Sequence, residues 1–240
     1  AVLGPLPLGG VSGCAGENSV QVTGSVSAER AAAYRTLAQR GIGAVEDLWG
    51  QGSVPQPIRL DLPANAAAWA LATGRPISDQ VYAASTVWQE STGRIVVHPA
   101  TWNALSPQGR SAVITHEVTH LAMGPSTRVP WWITEGLAEY TAHRASKSSL
   151  EDIAGSAWKP LIADPPSRWP RPSRRADSWQ NYAPAWLACV FLARTYDEKA
   201  LLTMHSELVG GSPLEVSMRD HFDRGSGQLQ QDWSRWLGEQ

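Results

Sequence analysis

The chain has 240 residues, 42% of them hydrophobic and 12 of them tryptophan, enough to bury a large core as one big domain or two small ones. A formal net charge of -2 and a pI near 6.3 supply no basic field for a polyanion, so nucleic acid is not expected as a partner. No run of about eighteen apolar residues occurs, so no transmembrane helix is expected either.

The chain starts AVLGPLPLGGVSGC, uncharged, apolar and rich in Gly and Pro. Its end, Val11-Ser12-Gly13-Cys14, resembles the lipobox of bacterial lipoproteins, in which the cysteine carries the lipid. That resemblance implies a signal remnant and flexible tether over residues 1–26, export, and a protein lipid-anchored at the cell surface or extracellular, touching a membrane only through Cys14. The alternative is a loose N-terminus with an ordinary cysteine. Cys189 lies in the apolar run AWLACVFLA and reads as a small buried hydrophobe. Exported proteins permit a Cys14–Cys189 disulfide, which a lipid on Cys14 would exclude.

Helical spacing of Tyr34, Leu37, Val45, Leu48 and Trp49, with Ser27 as N-cap and Gly50 as stop, predicts a helix weakened by Gly41 and Gly43 in its middle. PIRLDLP (57–63) alternates as a strand, and an alanine-rich helix follows to Gly74. Further strands are expected at Gln80–Val87 and Gly93–His98. Ser106 then caps a helix that begins with Pro107 and runs to Met123, where Gly124-Pro125 ends it. A second amphipathic helix opens at Pro130 and continues to about His143. Beyond it come a short helix at 147–158, a Pro-rich loop at 160–175 with the exposed basic run SRWPRPSRR, and helices near 179–196, 197–209, 212–222 and 227–238. The pattern is α+β, with strands in the first half and helices alone in the second.

The chemistry-bearing stretch is VITHEVTHLAMG, residues 113–124. One helical turn separates His116 from His120, so both imidazoles can converge on one ion, while Glu117 is offset by about 100° and stays beside it as a base. A catalytic zinc site takes three protein ligands and keeps a fourth position open. The continuation HExxHxxGxxH would need Gly and His where Met123 and Ser126 stand. The next carboxylate is Glu135, in PWWITEGLAEY, and the six-residue loop GPSTRV lets the two helices pack as a hairpin with Glu135 toward the histidines. Glu139, four residues on, shares its face.

HEVTH followed by WWITEGLAEY resembles the gluzincin pattern of the peptidase MA-like superfamily. The chain from about Ala28 onward, through GRIVVHPATWNALSPQGR and NYAPAWLACVFL, is similar to bacterial exported or lipoprotein metallopeptidases of that group. The resemblance implies a two-lobed zincin-like fold within residues 27–240, with an α+β lobe at 27–123 holding a small sheet and the active-site helix, and a helical lobe at 124–240. It implies Zn2+ as cofactor, His116, His120 and Glu135 as ligands, Glu117 as catalytic base, and Glu139 as an acid that orients a ligand histidine. Tyr182, in NYAPAWLA, falls where aminopeptidase N-like relatives carry a tyrosine that stabilises the oxyanion; His205 and His221 are the other candidates on chemistry alone. The Gly93–His98 strand would be an edge strand that pairs with an extended peptide.

The function expected from this is zinc-dependent hydrolysis of a peptide bond by a metal-activated water with Glu117 as general base, in a monomer acting on peptides or proteins. The alternatives are an inactive gluzincin scaffold that binds a peptide or partner, and a hydrolase of another amide such as a cell-wall crosslink. A base at position 117 is of no use to a purely structural zinc, which argues against the scaffold.

Overall fold

A computed structural model describes residues 19–77, 82–172 and 178–240. Cys14, the first two positions of the expected Gln80–Val87 strand and the end of the basic run SRWPRPSRR lie outside the described residues.

The fold is α+β. Strand β1 (Val20–Gly24) leads through helix α1 (Ala28–Trp49) to β2 (Ile58–Leu62), and the two strands pair in parallel with Val20 opposite Ile58, an arrangement that needs a crossover such as α1. Helix α2 (Ala66–Thr73) precedes β3 (Ala84–Gln89) and β4 (Thr92–Val97), an antiparallel pair in which Thr86 faces Ile95. β4 also pairs with β2, in parallel, giving the sheet order β1-β2-β4-β3.

Two expectations change here. Residues 15–26, read as tether, contain the edge strand β1, because Val20 is buried against the sheet and Thr23 Oγ1 donates to Asp61 at 2.6 Å, beside the Asp61–Arg94 ion pair. The 93–98 strand is not an edge: β4 is flanked by β2 and β3, and among the described residues the outer strand on that side of the sheet is β3. Burial explains the placement. The apolar run Ile95, Val96, Val97 is buried on both faces, and such a strand belongs inside a sheet.

A short helix, α3 (Thr101–Ala104), leads into α4 (Pro107–Met123), where Ser106 Oγ accepts from Gly109 N at 3.1 Å and Pro107 takes the first turn. Gly124, at φ 73, ends the helix. Ile114, Val118 and Leu121 of α4 join Tyr34, Ala38 and Ile42 of α1 in a core beneath the sheet. The mid-helix Gly41 has a use there: a Cβ would sit 3.4 Å from the Thr115 backbone and from Val118, so its absence lets α1 and α4 approach closely.

Helix α5 (Trp131–His143) returns antiparallel to α4, and with α6 (Leu150–Ala154), α7 (Trp158–Ala163), α8 (Ser178–Thr195), α9 (Glu198–Gly210), α10 (Leu214–Phe222) and α11 (Ser226–Gly238) it encloses a second core. The segment expected as a loop from 160 is helical up to Ala163. Trp49 touches both cores and donates from Nε1 to Thr141 Oγ1 at 3.1 Å. Nearby, Arg144 at the end of α5 pairs with Asp47 of α1 and Glu198 of α9, each at 2.7 Å. Cys189 is buried in α8, as its apolar context suggested. No described helix is long and apolar enough to cross a membrane.

Candidate metal centre

Two helices supply the centre. On α4, the residues that face the core lock the helix rotation, so His116 and His120 point together toward α5. On α5, buried Ile133 and Leu137 do the same for Glu135 and Glu139, one turn apart. The Nε2 atoms of His116 and His120 are 3.0 Å apart, and each is 3.3 Å from Glu135 Oε2. A tetrahedron with bonds of about 2.05 Å has edges of about 3.3 Å, so these three atoms are spaced as one face of a zinc-sized polyhedron. His116, His120 and Glu135 could hold a metal ion. Two imidazoles and one carboxylate suit a divalent transition-metal ion, and three donors leave further coordination positions open.

The second nitrogen of His116, Nδ1, is 3.1 Å from Glu139 Oε1, the arrangement that fixes the ring of a ligand histidine. The other oxygen of Glu139 reaches His143 Nε2 at 3.5 Å. Glu139 is thus shared between two histidines. His143 stands four residues after Glu139 on the same helix face, a spacing that offers the contact.

The electrostatics follow from burial and proximity. Burial opposes the ionised form of Glu135 and Glu139, yet the facing histidines overcome it: His120 and His116 hold the Glu135 carboxyl well below the usual carboxylate range, and His116 and His143 bring that of Glu139 down to about 2. His116 is likewise opposed by burial, but Glu139 and Glu135 raise its pKa well above the ordinary value. A cation bound at these donors would compete with protonation of His116, as metals do at histidine sites.

Glu117 is buried beside the donors, 6% exposed. Its Oε2 accepts a hydrogen bond of 2.6 Å from Thr86 Oγ1 on β3, a contact across 31 positions that no local pattern could announce. Tyr182 comes from the first turns of α8, with its ring 5.9 Å from that of His116 and 5.5 Å from that of Trp131. Burial first, then the charges of Glu135 and Glu117, push its pKa up, so the phenol remains a donor. His205 and His221 are not brought to the cluster. His205 is buried against Trp49, with ring centroids 5.2 Å apart, and burial lowers its pKa to about 4. His221 Nε2 lies 2.9 Å from Glu207 Oε1.

Two cavities meet at His116, Glu117 and Tyr182. One, of about 360 Å³, is walled by Leu105, Ala112, Val113, Ile153 and Trp179, and is mainly apolar. The other, of about 340 Å³, runs past Glu135 and Thr86 to Arg75 and Trp88. Its wall includes part of the edge strand β3. The arrangement can hold a divalent ion between two helices, with a carboxylate and a phenol beside it and room on both sides for an extended ligand. A scan against protein-family models and a search of curated proteins each give no match for this chain.

Proposed function

We propose that this protein is a zinc-dependent metallopeptidase of the gluzincin type, with the sheet side and the helical side forming two lobes about the cleft. The observation that carries the reading is the triangle of His116 Nε2, His120 Nε2 and Glu135 Oε2, with edges of 3.0, 3.3 and 3.3 Å and the unliganded carboxylate of Glu117 next to it. A structural ion has no need of that fourth group; hydrolysis does.

When bound, zinc supplies Lewis-acid activation of a water and of the substrate carbonyl. The chain's own groups do the rest. Glu117, buried and next to the donors, accepts the proton of the attacking water and returns it to the leaving amine. Tyr182 donates from its phenol to the oxygen on which negative charge develops, a contribution typically of about 10²–10³ in rate for one such donor. Glu139 keeps His116 in one ring orientation. Trp131, packed on Tyr182, limits the entry of bulk water from that side. The cavities on either flank suit the two arms of an extended peptide, and β3 is the edge along which a peptide would add as a strand. Export and a lipid anchor at Cys14 remain part of the reading through the lipobox-like residues alone.

The test has two stages. Purified protein should carry about one zinc per chain, and Glu117→Gln should retain it while losing peptide hydrolysis by at least about 10³-fold, the scale on which general bases act. A chain without stoichiometric metal, or Glu117→Gln with unchanged turnover, refutes the assignment.

A further inference from the structure

We propose that Thr86 is a positioning residue for the catalytic base, reached from the edge strand of the sheet rather than from the helices that carry the metal donors; the proposal rests on the peptidase reading above.

Thr86 stands in the middle of β3, in register with Ile95 of β4, so its backbone is held by the sheet. Its Oγ1 is 2.6 Å from Glu117 Oε2 and 3.1 Å from the Glu117 backbone oxygen. A threonine hydroxyl has one proton to give, and both neighbours are acceptors. The shorter contact lies within the range of a charge-assisted O–H···O bond, which assigns the proton to the carboxylate oxygen. Glu117 is a long side chain on a helix and would otherwise sample several rotamers. Tying Oε2 selects one of them and leaves Oε1 to receive a proton.

The residue type is informative. At a strand position a valine would serve the backbone as well as threonine, since both are β-branched. The hydroxyl is the part that the sheet does not require and Glu117 does. A second consequence follows from topology: β3 is the outer strand among the described residues, so a peptide paired along it would bear on the same strand that sets the base. Substrate docking and base alignment thereby share one element.

The experiment compares Thr86→Val and Thr86→Ser in zinc-loaded, full-length protein. Thr86→Val should lower kcat by about 10–100-fold, the cost of a misplaced catalytic group, with KM and zinc affinity within about twofold of wild type. Thr86→Ser, which restores the hydroxyl, should recover most of kcat. A crystal structure of Thr86→Val, with or without metal, should show the Glu117 carboxylate displaced from its wild-type position. If Thr86→Val fails to fold, Thr86→Ala is read in the same way. Unchanged kcat in these variants, no recovery by Thr86→Ser, or an unmoved Glu117 overturns the proposal. Should wild type hydrolyse no peptide, or Glu117→Gln remain active, the peptidase reading fails instead, and the Glu117 position in the Thr86→Val crystal still decides whether the threonine orients that side chain.

Discussion

Gly136→Ala tests how closely the two site-bearing helices of the C-terminal half are packed. Gly136 follows Glu135 on α5, and a Cβ there would meet the Ala185 carbonyl oxygen of α8 at 2.3 Å and Cys189 Sγ at 2.7 Å. Ordinary contact between such atoms is about 3.5 Å, so α8 would have to retreat by about 1 Å at the crossing. Overpacking of this kind costs up to about 3 kcal/mol, because the obstacle is backbone and no side chain can turn aside. Replacing a helical glycine by alanine returns about 1 kcal/mol through helix propensity, leaving a net loss of about 2 kcal/mol. For a chain of this size that is a fall in Tm of about 4–8 °C, measurable by calorimetry or circular dichroism. Because α8 also carries Tyr182, kcat should drop while zinc affinity, set on α4 and α5, holds. Adding Cys189→Ala should recover only part of the stability, since the carbonyl stays. A Tm equal to or above that of wild type would show that helix propensity outweighs the clash and would refute this account of the glycine.

Glu135→Ala should weaken zinc binding by more than about 100-fold, whereas Glu139→Gln, one step removed from the ion, should cost about 10–100-fold; competition titration with a chelator separates the two, and equal effects would contradict the assigned roles. His205 predicts a pH dependence of stability. Its folded pKa is lowered by burial from 6.5 to about 4, so above pH 6.5 it costs nothing, and as pH falls from there toward 4 the unfolded chain binds the proton that the folded chain refuses. The loss should be about 2 kcal/mol by pH 5, still above the range where the carboxylates titrate. His205→Phe should abolish the part of the Tm difference between pH 7.5 and 5 that this residue causes, and an identical difference in both proteins would sink the argument. Ala112→Phe should fill the apolar cavity beside His116 and lower kcat/KM for peptides with large apolar side chains by at least about tenfold, with small-residue peptides less affected. An equal loss for both peptide classes would mean that the cavity does not select side chains.

The α4–α5 pair was legible in the sequence because its signals are local. Ser106-Pro107 starts one helix, Gly124 stops it, Pro130 starts the next, and the 3.6-residue period then aligns His116 with His120 and Glu135 with Glu139. What depends on chain pairing was not legible. Short strands alternate in the same way whether they lie inside a sheet or at its rim, so the edge was expected at 93–98 and is found at Ala84–Gln89, and β1 was hidden in a segment of small polar residues. Thr86 illustrates the same limit at the level of a single contact, since nothing around it in the chain distinguishes it from any other strand threonine. His143 was within reach of the same spacing argument, since it stands four residues after Glu139 on one helix face.

On the proposed reading, the donor triad spans only residues 116 to 135, on one helical hairpin, while the hydroxyl proposed to hold the base and the phenol proposed to meet the substrate come from Thr86 and Tyr182, far away along the chain. Affinity for the ion and competence for turnover would therefore have different structural requirements. A variant that disturbs β3 or α8 and spares α4, α5 and the core beneath them would then keep its metal and lose turnover, so metal content by itself would not measure how much of a preparation is active.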